Sequence, residues 1–190
     1  MKTSQAPKDK LFETAARLFH QYGYRAIGVD TIAAESGIGK MTLYRHFPSK
    51  DDLIIAFLQR SDEDFWHYFE ESTKNAPNAR EKLLAFFKAL QRYVTTAACY
   101  GCPFINVASE YPEPDYAGHQ VAIEHKQSVR ARFHHLATEA GARQPKVLAD
   151  GLMMLMDGAY IAARMYGASQ INPAFHLEQT AESLINKHCE

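Results

Sequence analysis

The sequence predicts an all-helical protein, and three observations support that prediction. Apolar residues recur at intervals of three and four along most of the chain, which is the period of an amphipathic helix. No segment shows the sustained alternation of apolar and polar residues that is typical of a half-buried strand. Breaks rich in glycine and proline, such as Gly101-Cys102-Pro103, separate the periodic segments.

The first predicted helix contains Leu11 and ends at about Tyr22. Leu11, Ala15 and Leu18 recur there with helical spacing, and Gly23 follows as a helix end.

Two short helices joined by a turn are predicted next, at residues 29–46. Ile32, Ala33 and Ser36 share one face of the first short helix, and Gly37 suits the left-handed conformation that ends it. Leu43 and Phe47, one helical turn apart, anchor the second short helix inward. The outward surface is then basic and polar, which is typical of a helix-turn-helix that approaches DNA.

Further helices follow in order. Ser49 and Asp52 form a capping-box-like start for a fourth helix that extends to about Ser72. Later segments are predicted at about 79–98, 103–110, 116–140, 145–168 and 173–188. Pro103, Pro145 and Pro173 each stand where a helix begins.

Composition bounds the class of protein. The chain has 190 residues, enough for a small domain joined to a larger one, and 46% of them are apolar. No apolar run approaches the ~20 residues of a membrane helix, and the polar N-terminus is not a secretory signal. Three cysteines, an odd number, argue against a disulfide scaffold. We therefore expect a cytoplasmic protein without a membrane partner.

The net charge of −1 is unevenly distributed. Residues 1–60 hold nine Lys/Arg and six Asp/Glu, a net charge of +3, which leaves −4 for the remainder. A basic end suits contact with phosphates, although a difference of this size also arises by chance.

Residues 8–55 resemble the DNA-binding domain of the TetR family of bacterial transcriptional regulators. The resemblance lies in the segments LFETAARLFHQYGY, VDTIAAESGIGKMTLYRHF and PSKDDLI. One departure is Gly28, where many members have a Ser or Thr cap. The resemblance implies a DNA-binding domain at 1–52 and a helical effector-binding and dimerisation domain at 53–190. It also implies a homodimeric repressor, not an enzyme, that needs no cofactor and associates with the nucleoid when bound to DNA.

The partners expected from this reading are a near-palindromic double-stranded operator, an unknown small-molecule effector and a second copy of the chain. Phosphate contacts are expected from Lys40, Tyr44, His46 and Lys50, and base contacts from Met41, Thr42 and Arg45. Thr31 completes the predicted DNA-binding set, in which the roles of Tyr44 and Lys50 come from the resemblance.

The effector pocket and the dimer seam are expected in the larger domain. Each of these side chains has an alternative assignment as ordinary monomer core. The predicted pocket residues are Phe65, Trp66, Phe69, Phe87, Phe104, Asn106, His119, Met153, Met156, Asp157 and Tyr160. The predicted seam residues are Leu148, Leu152, Leu155, Ala159, Leu177, Ala181 and Leu184.

Cys99 and Cys102 have the spacing of a redox or metal-binding pair. A redox pair normally lies at a helix start after a strand, and a zinc site needs two further ligands. We expect no metal site, and the alternative of thiol chemistry or sensing at this pair stays open. A TetR-like protein that binds partners other than DNA is a second alternative.

Overall fold

The computed structural model describes residues 6–189, which contain helices and no strand. The helices in this range are α1 (Pro7–Tyr22), α2 (Val29–Ser36), α3 (Lys40–His46), α4 (Lys50–Thr73), α5 (Ala79–Val94), α6 (Pro103–Glu110), α7 (Ala117–Glu139), α8 (Pro145–Tyr166) and α9 (Leu177–Cys189). A short 3-10 helix (Pro173–His176) precedes α9. The predicted all-helical fold is confirmed.

Several helix ends lie where the sequence predicts them. Gly23 follows α1 with φ +89°, a conformation that strains other residues. The side chain of Asn78 caps α5 by accepting a hydrogen bond from the N–H of Glu81 at 2.9 Å. Pro145 stands at the first turn of α8, where its missing N–H costs nothing.

α5 ends four residues earlier than the predicted 98. The hydroxyl of Thr95 donates to the carbonyl of Gln91 at 2.8 Å, and that of Thr96 donates to the carbonyl of Tyr93 at 2.8 Å. The backbone also tightens here, because the N–H of Thr96 bonds the carbonyl of Tyr93, three residues back, at 3.1 Å.

The last predicted helix begins differently from the expectation. Residues 173–176 form the 3-10 helix instead of the first α-helical turn. Asn172 holds this turn, because its side-chain oxygen accepts from the N–H of Ala174 at 2.9 Å and its amide donates to the carbonyl of Gly167 at 2.8 Å. A tight 3-10 turn is a common helix start.

The part of the chain that the structure describes divides into two compact units, each made of two separate stretches of sequence. The first unit joins residues 6–62 to Pro103–Ile123, and the second joins Glu63–Cys102 to residues 124–189. α6 therefore belongs to the same unit as the helix-turn-helix. Within residues 6–189, no helix combines the length and apolar character needed to span a bilayer.

Each unit has its own core. In the first unit, Phe19, Tyr24 and Phe57 pack with ring centroids 5.5–6.2 Å apart. In the second unit, Phe69, Phe86, Phe87 and Phe133 form a packed aromatic cluster with centroids 4.8–6.5 Å apart. Aromatic contacts of this kind add to the stabilisation that comes from burying the rings.

Candidate nucleic-acid interface

A short left-handed turn sets the relation between α2 and α3. Gly37 has φ +65°, and its N–H donates to the carbonyl of Ala34 at 3.2 Å. The N–H of Ile38 reaches the carbonyl of Ala33 at 3.2 Å and the hydroxyl of Ser36 at 3.3 Å. These paired bonds form a Schellman motif that satisfies the end of α2. The helix-turn-helix is therefore fixed by local chemistry, as the sequence predicts.

α3 is anchored from below by apolar side chains. Leu43 is fully buried, Phe47 retains 6% exposure, and Ile32 of α2 is also fully buried. Burying aliphatic and aromatic side chains of this size stabilises the unit by about 1.5–3 kcal/mol each. The opposite face of α3 is consequently presented to solvent on a fixed support.

The outward surface of α3 contains most of the predicted DNA-binding residues. Met41 is 88% exposed and Tyr44 is 46% exposed, an unusual degree of exposure for large side chains. Lys40, Arg45 and Thr31 are exposed, and Thr42 and His46 are half-buried. On this exposed surface the Arg45 guanidinium can donate to hydrogen-bond acceptors on base edges, and the long apolar side chain of Met41 can contact a thymine methyl group.

Lys40 is engaged in an ion pair within this surface. Its ammonium contacts the carboxylate of Asp30, in the first turn of α2, and both side chains are largely exposed. The hydrogen bond to Asp30 and its negative charge raise the pKa of the Lys40 ammonium.

Lys50 occupies the start of α4, as predicted. The hydroxyl of Ser49 accepts from the N–H of Asp52 at 3.0 Å and donates to its carboxylate at 2.6 Å, which caps the helix. Lys50 is half-buried, and this burial lowers the pKa of its ammonium, against the charges of Asp51 and Glu110. Of the predicted phosphate contacts, Lys50 is thus less accessible than Lys40.

Glu110, at the end of α6, binds the loop that connects α1 to α2. Its two carboxylate oxygens accept from the N–H of Tyr24 at 3.1 Å and from the N–H of Arg25 at 2.6 Å. The hydroxyl of Tyr24 donates to the carbonyl of Pro103 at 2.9 Å. A Cβ at Gly23 would lie 2.6 Å from Glu110 Oε1, so glycine is required there for space as well as for its positive φ.

A chain of aromatic contacts extends from the same loop to the start of α4. The Arg25 guanidinium lies 4.8 Å from the Tyr111 ring centroid, and Tyr111 stacks on Tyr116 at 4.4 Å. The hydroxyl of Tyr116 donates to Asp51 at 3.0 Å. Sequence reasoning missed these residues and Glu110, because nothing in a motif indicates that a segment about 85 residues away completes this unit.

The predicted effector-pocket residues are divided between the two units. Phe104, Asn106 and His119 belong to the first unit, whereas the others belong to the second. Phe69, Phe87 and Met156 have at most 1% exposure, and Phe65 and Trp66 are half-buried. In the second unit, Asp157 pairs with Lys126 at 2.5 Å. A groove of about 410 Å³ in the same unit is lined by none of the predicted residues; it includes Leu84, Lys88 and Glu182.

Most of the predicted dimer-seam side chains are covered by their own chain. Only Leu155 and Leu184 are partly accessible. The buried members are Leu148, Leu152, Ala159, Leu177 and Ala181, with 0–5% exposure. Their side chains are therefore buried within their own chain, which favours the alternative assignment to the monomer core.

A different face of α8 is exposed. It consists of Val147, Met154, Gly158, Ile161 and Met165, which we call the α8 stripe; the four large side chains are 43–71% exposed. Their spacing of seven, four, three and four residues places them on one side of the helix. Sequence periodicity missed the stripe because both sides of α8 are apolar.

The cysteine pair lies in a setting unlike that of a reactive thiol. Cys99 and Cys102 are both 4% exposed. Burial raises the pKa of the Cys99 thiol, whereas redox-active cysteines have a lowered pKa. Among residues 6–189 no group of three or more His, Cys, Asp or Glu is arranged to hold a metal ion.

A helix-turn-helix with an exposed, basic second helix defines the class of DNA-binding regulators. Residues 11–57 match the family model described as bacterial regulatory proteins, tetR family. SCO4454, a TetR-family transcriptional regulator from Streptomyces coelicolor, has a similar structure, with a TM-score of 0.90 and 28% identity over 97% of this chain and 96% of that chain. The helix-turn-helix segment at residues 11–57 is therefore of the TetR type, and the chain is similar over almost its whole length to a TetR-family transcriptional regulator.

Two sequence relatives agree with this assignment. The HTH-type transcriptional activator FasR of Mycolicibacterium smegmatis is 27% identical over 80% of this chain and 71% of its own length. The transcriptional regulator YxaF of Bacillus subtilis is 31% identical over 54% of this chain, and the match spans only 55% of YxaF. These relatives are regulators of transcription, as the sequence interpretation expects.

Proposed function

We propose that this protein is a homodimeric repressor that binds a near-palindromic operator through α3 and is released by a small-molecule effector. The observation that carries the proposal is the outward surface of α3, where Met41, Tyr44 and Arg45 are exposed on a helix anchored by Leu43 and Phe47. A helix held this firmly can enter a major groove without reorganising its support.

The proposed contacts divide by chemistry. Lys40, Tyr44, His46 and Lys50 bind phosphates, with Thr31 at the start of α2 as a further backbone contact. The base-reading residues are Met41, Thr42 and Arg45, of which the arginine can pair bidentately with guanine. The contacts with DNA phosphates then position the protein, and the base-reading residues select the DNA sequence.

The dimer in this proposal forms through the α8 stripe, with Leu155 and Leu184 at its margins. Three features support it. The stripe is apolar and exposed, Gly158 has open space where a Cβ would stand, and Gly151 lets Leu184 of α9 approach α8 closely. Small residues beside large apolar ones allow two helices to pack at short distance. Two α8 helices and two α9 helices would then form a four-helix seam, and the dimer would match the symmetry of the operator.

The effector is proposed to bind in the second unit, near the half-buried rings of Phe65 and Trp66. Trp66 is the only tryptophan of the chain, and its ring lies 5.2 Å from that of Phe65 and 5.9 Å from that of Phe69. An apolar ligand entering beside these rings changes the surroundings of a single fluorophore. Release from DNA requires that the effector bind the DNA-incompetent state more tightly than the competent one.

Repression is proposed because it needs nothing beyond occupancy. A dimer on an operator that overlaps a promoter excludes polymerase, whereas activation needs an additional surface that recruits it. The relative FasR is named an activator, so the sign of regulation is tested separately. A reporter gene placed behind the upstream DNA of the chain's own gene tests this point: deletion of the regulator raises expression if it represses and lowers it if it activates.

The binding experiment uses fluorescence anisotropy with duplexes of about three helical turns, roughly 30 bp, from the same upstream DNA. We expect specific binding that exceeds binding to unrelated DNA by ~1000-fold or more. Equal binding to both duplexes would contradict an operator there, and no binding to either would favour the alternative of a partner-binding protein. Titration of candidate effectors is followed by Trp66 fluorescence and by loss of anisotropy.

A further inference from the structure

The proposed DNA-binding surface contains one acidic side chain that its function does not explain. Asp30 lies in the first turn of α2 and its side chain is 71% exposed. It forms an ion pair with Lys40, whose side chain is 54% exposed and which begins α3. A carboxylate at this place repels DNA phosphates. It also pairs with the Lys40 ammonium, to which we assign a phosphate contact.

We propose that Asp30 acts as an internal competitor of the DNA phosphate for Lys40, and thereby sets the affinity and the salt dependence of DNA binding. The inference rests on the proposed function, because it takes the Lys40 side of α3 as a DNA contact. In free protein Asp30 neutralises the ammonium; on DNA the phosphate takes its place.

The exposure of the pair makes this exchange possible. Ion pairs between exposed side chains contribute little to stability, since water and salt screen them. A phosphate on a duplex is surrounded by further phosphates, so it attracts an ammonium more strongly than a single carboxylate does. The Lys40–Asp30 contact can therefore be broken on DNA without disturbing Leu43 or the rest of the helix-turn-helix.

Counterion release gives the inference a measurable signature. A lysine that meets a phosphate normally displaces about one condensed cation from DNA, which steepens the plot of log affinity against log salt by ~0.9. If Lys40 brings a paired carboxylate with it, the repulsion offsets part of that gain and the slope is shallower. Removing the charge of Asp30 restores the full slope.

A simpler role for Asp30 predicts a different result. An acidic residue in the first turn of a helix interacts favourably with the helix dipole, and Asp30 is placed for this in α2. If that were its whole contribution, Asp30→Asn would slightly weaken the helix-turn-helix and DNA binding would fall or stay constant. Tighter binding by the variant is expected from competition for Lys40 or from lost general charge repulsion, and the two controls below separate these causes.

The test compares Asp30→Asn, which keeps the size of the side chain, with the unaltered protein in anisotropy titrations over a series of salt concentrations. The probes are the upstream duplex and a duplex of unrelated sequence. We expect binding about two- to fivefold tighter near 0.1 M salt and a slope steeper by up to ~0.9 per protomer. Because phosphate contacts carry no sequence information, both duplexes should gain equally.

Two controls isolate the pair. Glu35→Gln removes an equal charge from the same helix, but Glu35 pairs with Arg17 of α1, at 2.5 Å, and not with α3. Its effect should be smaller than that of Asp30→Asn. In a Lys40→Ala background, Asp30→Asn should lose most of its effect. Thermal unfolding of each variant verifies that the fold is retained.

The outcomes separate the inference from the proposed function. Unchanged or weaker binding by Asp30→Asn overturns the inference, and so does an equal gain from Glu35→Gln or an undiminished gain without Lys40. If Arg45→Ala and Tyr44→Phe weaken binding in the same assay, the DNA-binding surface stands even when the inference fails. If none of the α3 variants changes binding, the proposed surface itself is wrong.

Discussion

α3 and α8 each leave one face uncovered by their own chain, but the two faces differ in chemistry. The α3 face presents Lys40, Arg45 and Tyr44 around a single exposed methionine, Met41. The α8 stripe presents four large apolar side chains and a glycine, without a charge among them. Exposure alone therefore does not identify a partner. A charged and polar face suits a polyanion, whereas an apolar face of this kind suits another protein surface.

The largest expected effect comes from placing a charge in the α8 stripe. Ile161→Glu should give a folded monomer, because a symmetric seam would bury the carboxylate twice without a partner. Operator affinity should fall towards the non-specific level, by ~1000-fold or more, since one half-site supplies only part of the contacts. Sedimentation and anisotropy titrations measure the two changes.

Two further variants sharpen this prediction. Ile123→Glu introduces the same charge at another exposed isoleucine, on α7, and should leave the dimer intact. Leu152→Glu places the charge at a side chain with 0% exposure, so the protein should unfold instead of dissociating. If the Ile161→Glu protein stayed dimeric with native operator affinity, the dimer interface would not be at the α8 stripe.

The next prediction tests whether the exposed face of α3 recognises DNA bases. Arg45→Ala should relax specificity at one operator base pair and cost ~1–3 kcal/mol there, if the guanidinium pairs bidentately with guanine. Affinities for operators altered at each position in turn provide the measurement. A loss of the same size at every position would place Arg45 among the phosphate contacts.

A free-energy change of similar size is expected at the α1–α2 loop, but it concerns the stability of the fold and not the recognition of DNA bases. Glu110→Ala leaves the N–H groups of Tyr24 and Arg25 without their carboxylate, and one unsatisfied buried donor costs ~1–3 kcal/mol. Urea unfolding measures the loss. Glu113→Ala is the control, because Glu113 contacts Arg25 only at 4.0 Å with both side chains exposed, and its free energy of unfolding should scarcely change. If both variants lost the same free energy of unfolding, the hydrogen bonds of Glu110 to the loop would not be a special source of stability.

The smallest effects on DNA binding are expected from the residues that are proposed to contact DNA phosphates. Tyr44→Phe removes one hydroxyl and should weaken binding by ~0.5–1.5 kcal/mol for operator and unrelated DNA alike. Lys50→Ala should flatten the salt dependence by ~0.9 per protomer. An unchanged slope would show that the half-buried Lys50 does not reach the DNA backbone.

The helix-turn-helix was predictable because its determinants are local. Gly37 and Ser49 each act on residues within five positions, and Leu43 lies one helical turn from Phe47. The structure has the turn, the anchor and the cap where the sequence predicts them. The α8 stripe was not predictable in this way. Periodicity shows that α8 is apolar on two sides, but only tertiary packing determines that Leu148 and Leu152 face inward while Met154 and Ile161 do not.

The predicted pocket residues illustrate the same limit. Their residue types suit a ligand cavity and a packed core equally well, and Phe69 and Phe87 turn out to be core. The hydrogen bonds between Glu110 and the α1–α2 loop, which we call the Glu110 clamp, had no sequence signal. A glutamate at a helix end is ordinary until its distant partners are known.

The distance along the chain between Glu110 and its partners has a consequence for synthesis on the ribosome. Tyr24 precedes Glu110 by 86 residues, which at ~5–20 residues per second corresponds to roughly 4–17 s of translation. During that interval α1, α2 and α3 can form, but the loop amides of Tyr24 and Arg25 have only water as an acceptor. The nascent DNA-binding unit is completed only after α4 and α5 have been made. A ribosome that stops before residue 110 therefore releases a helix-turn-helix without its clamp, and such a fragment should be a substrate for proteases before it can occupy an operator.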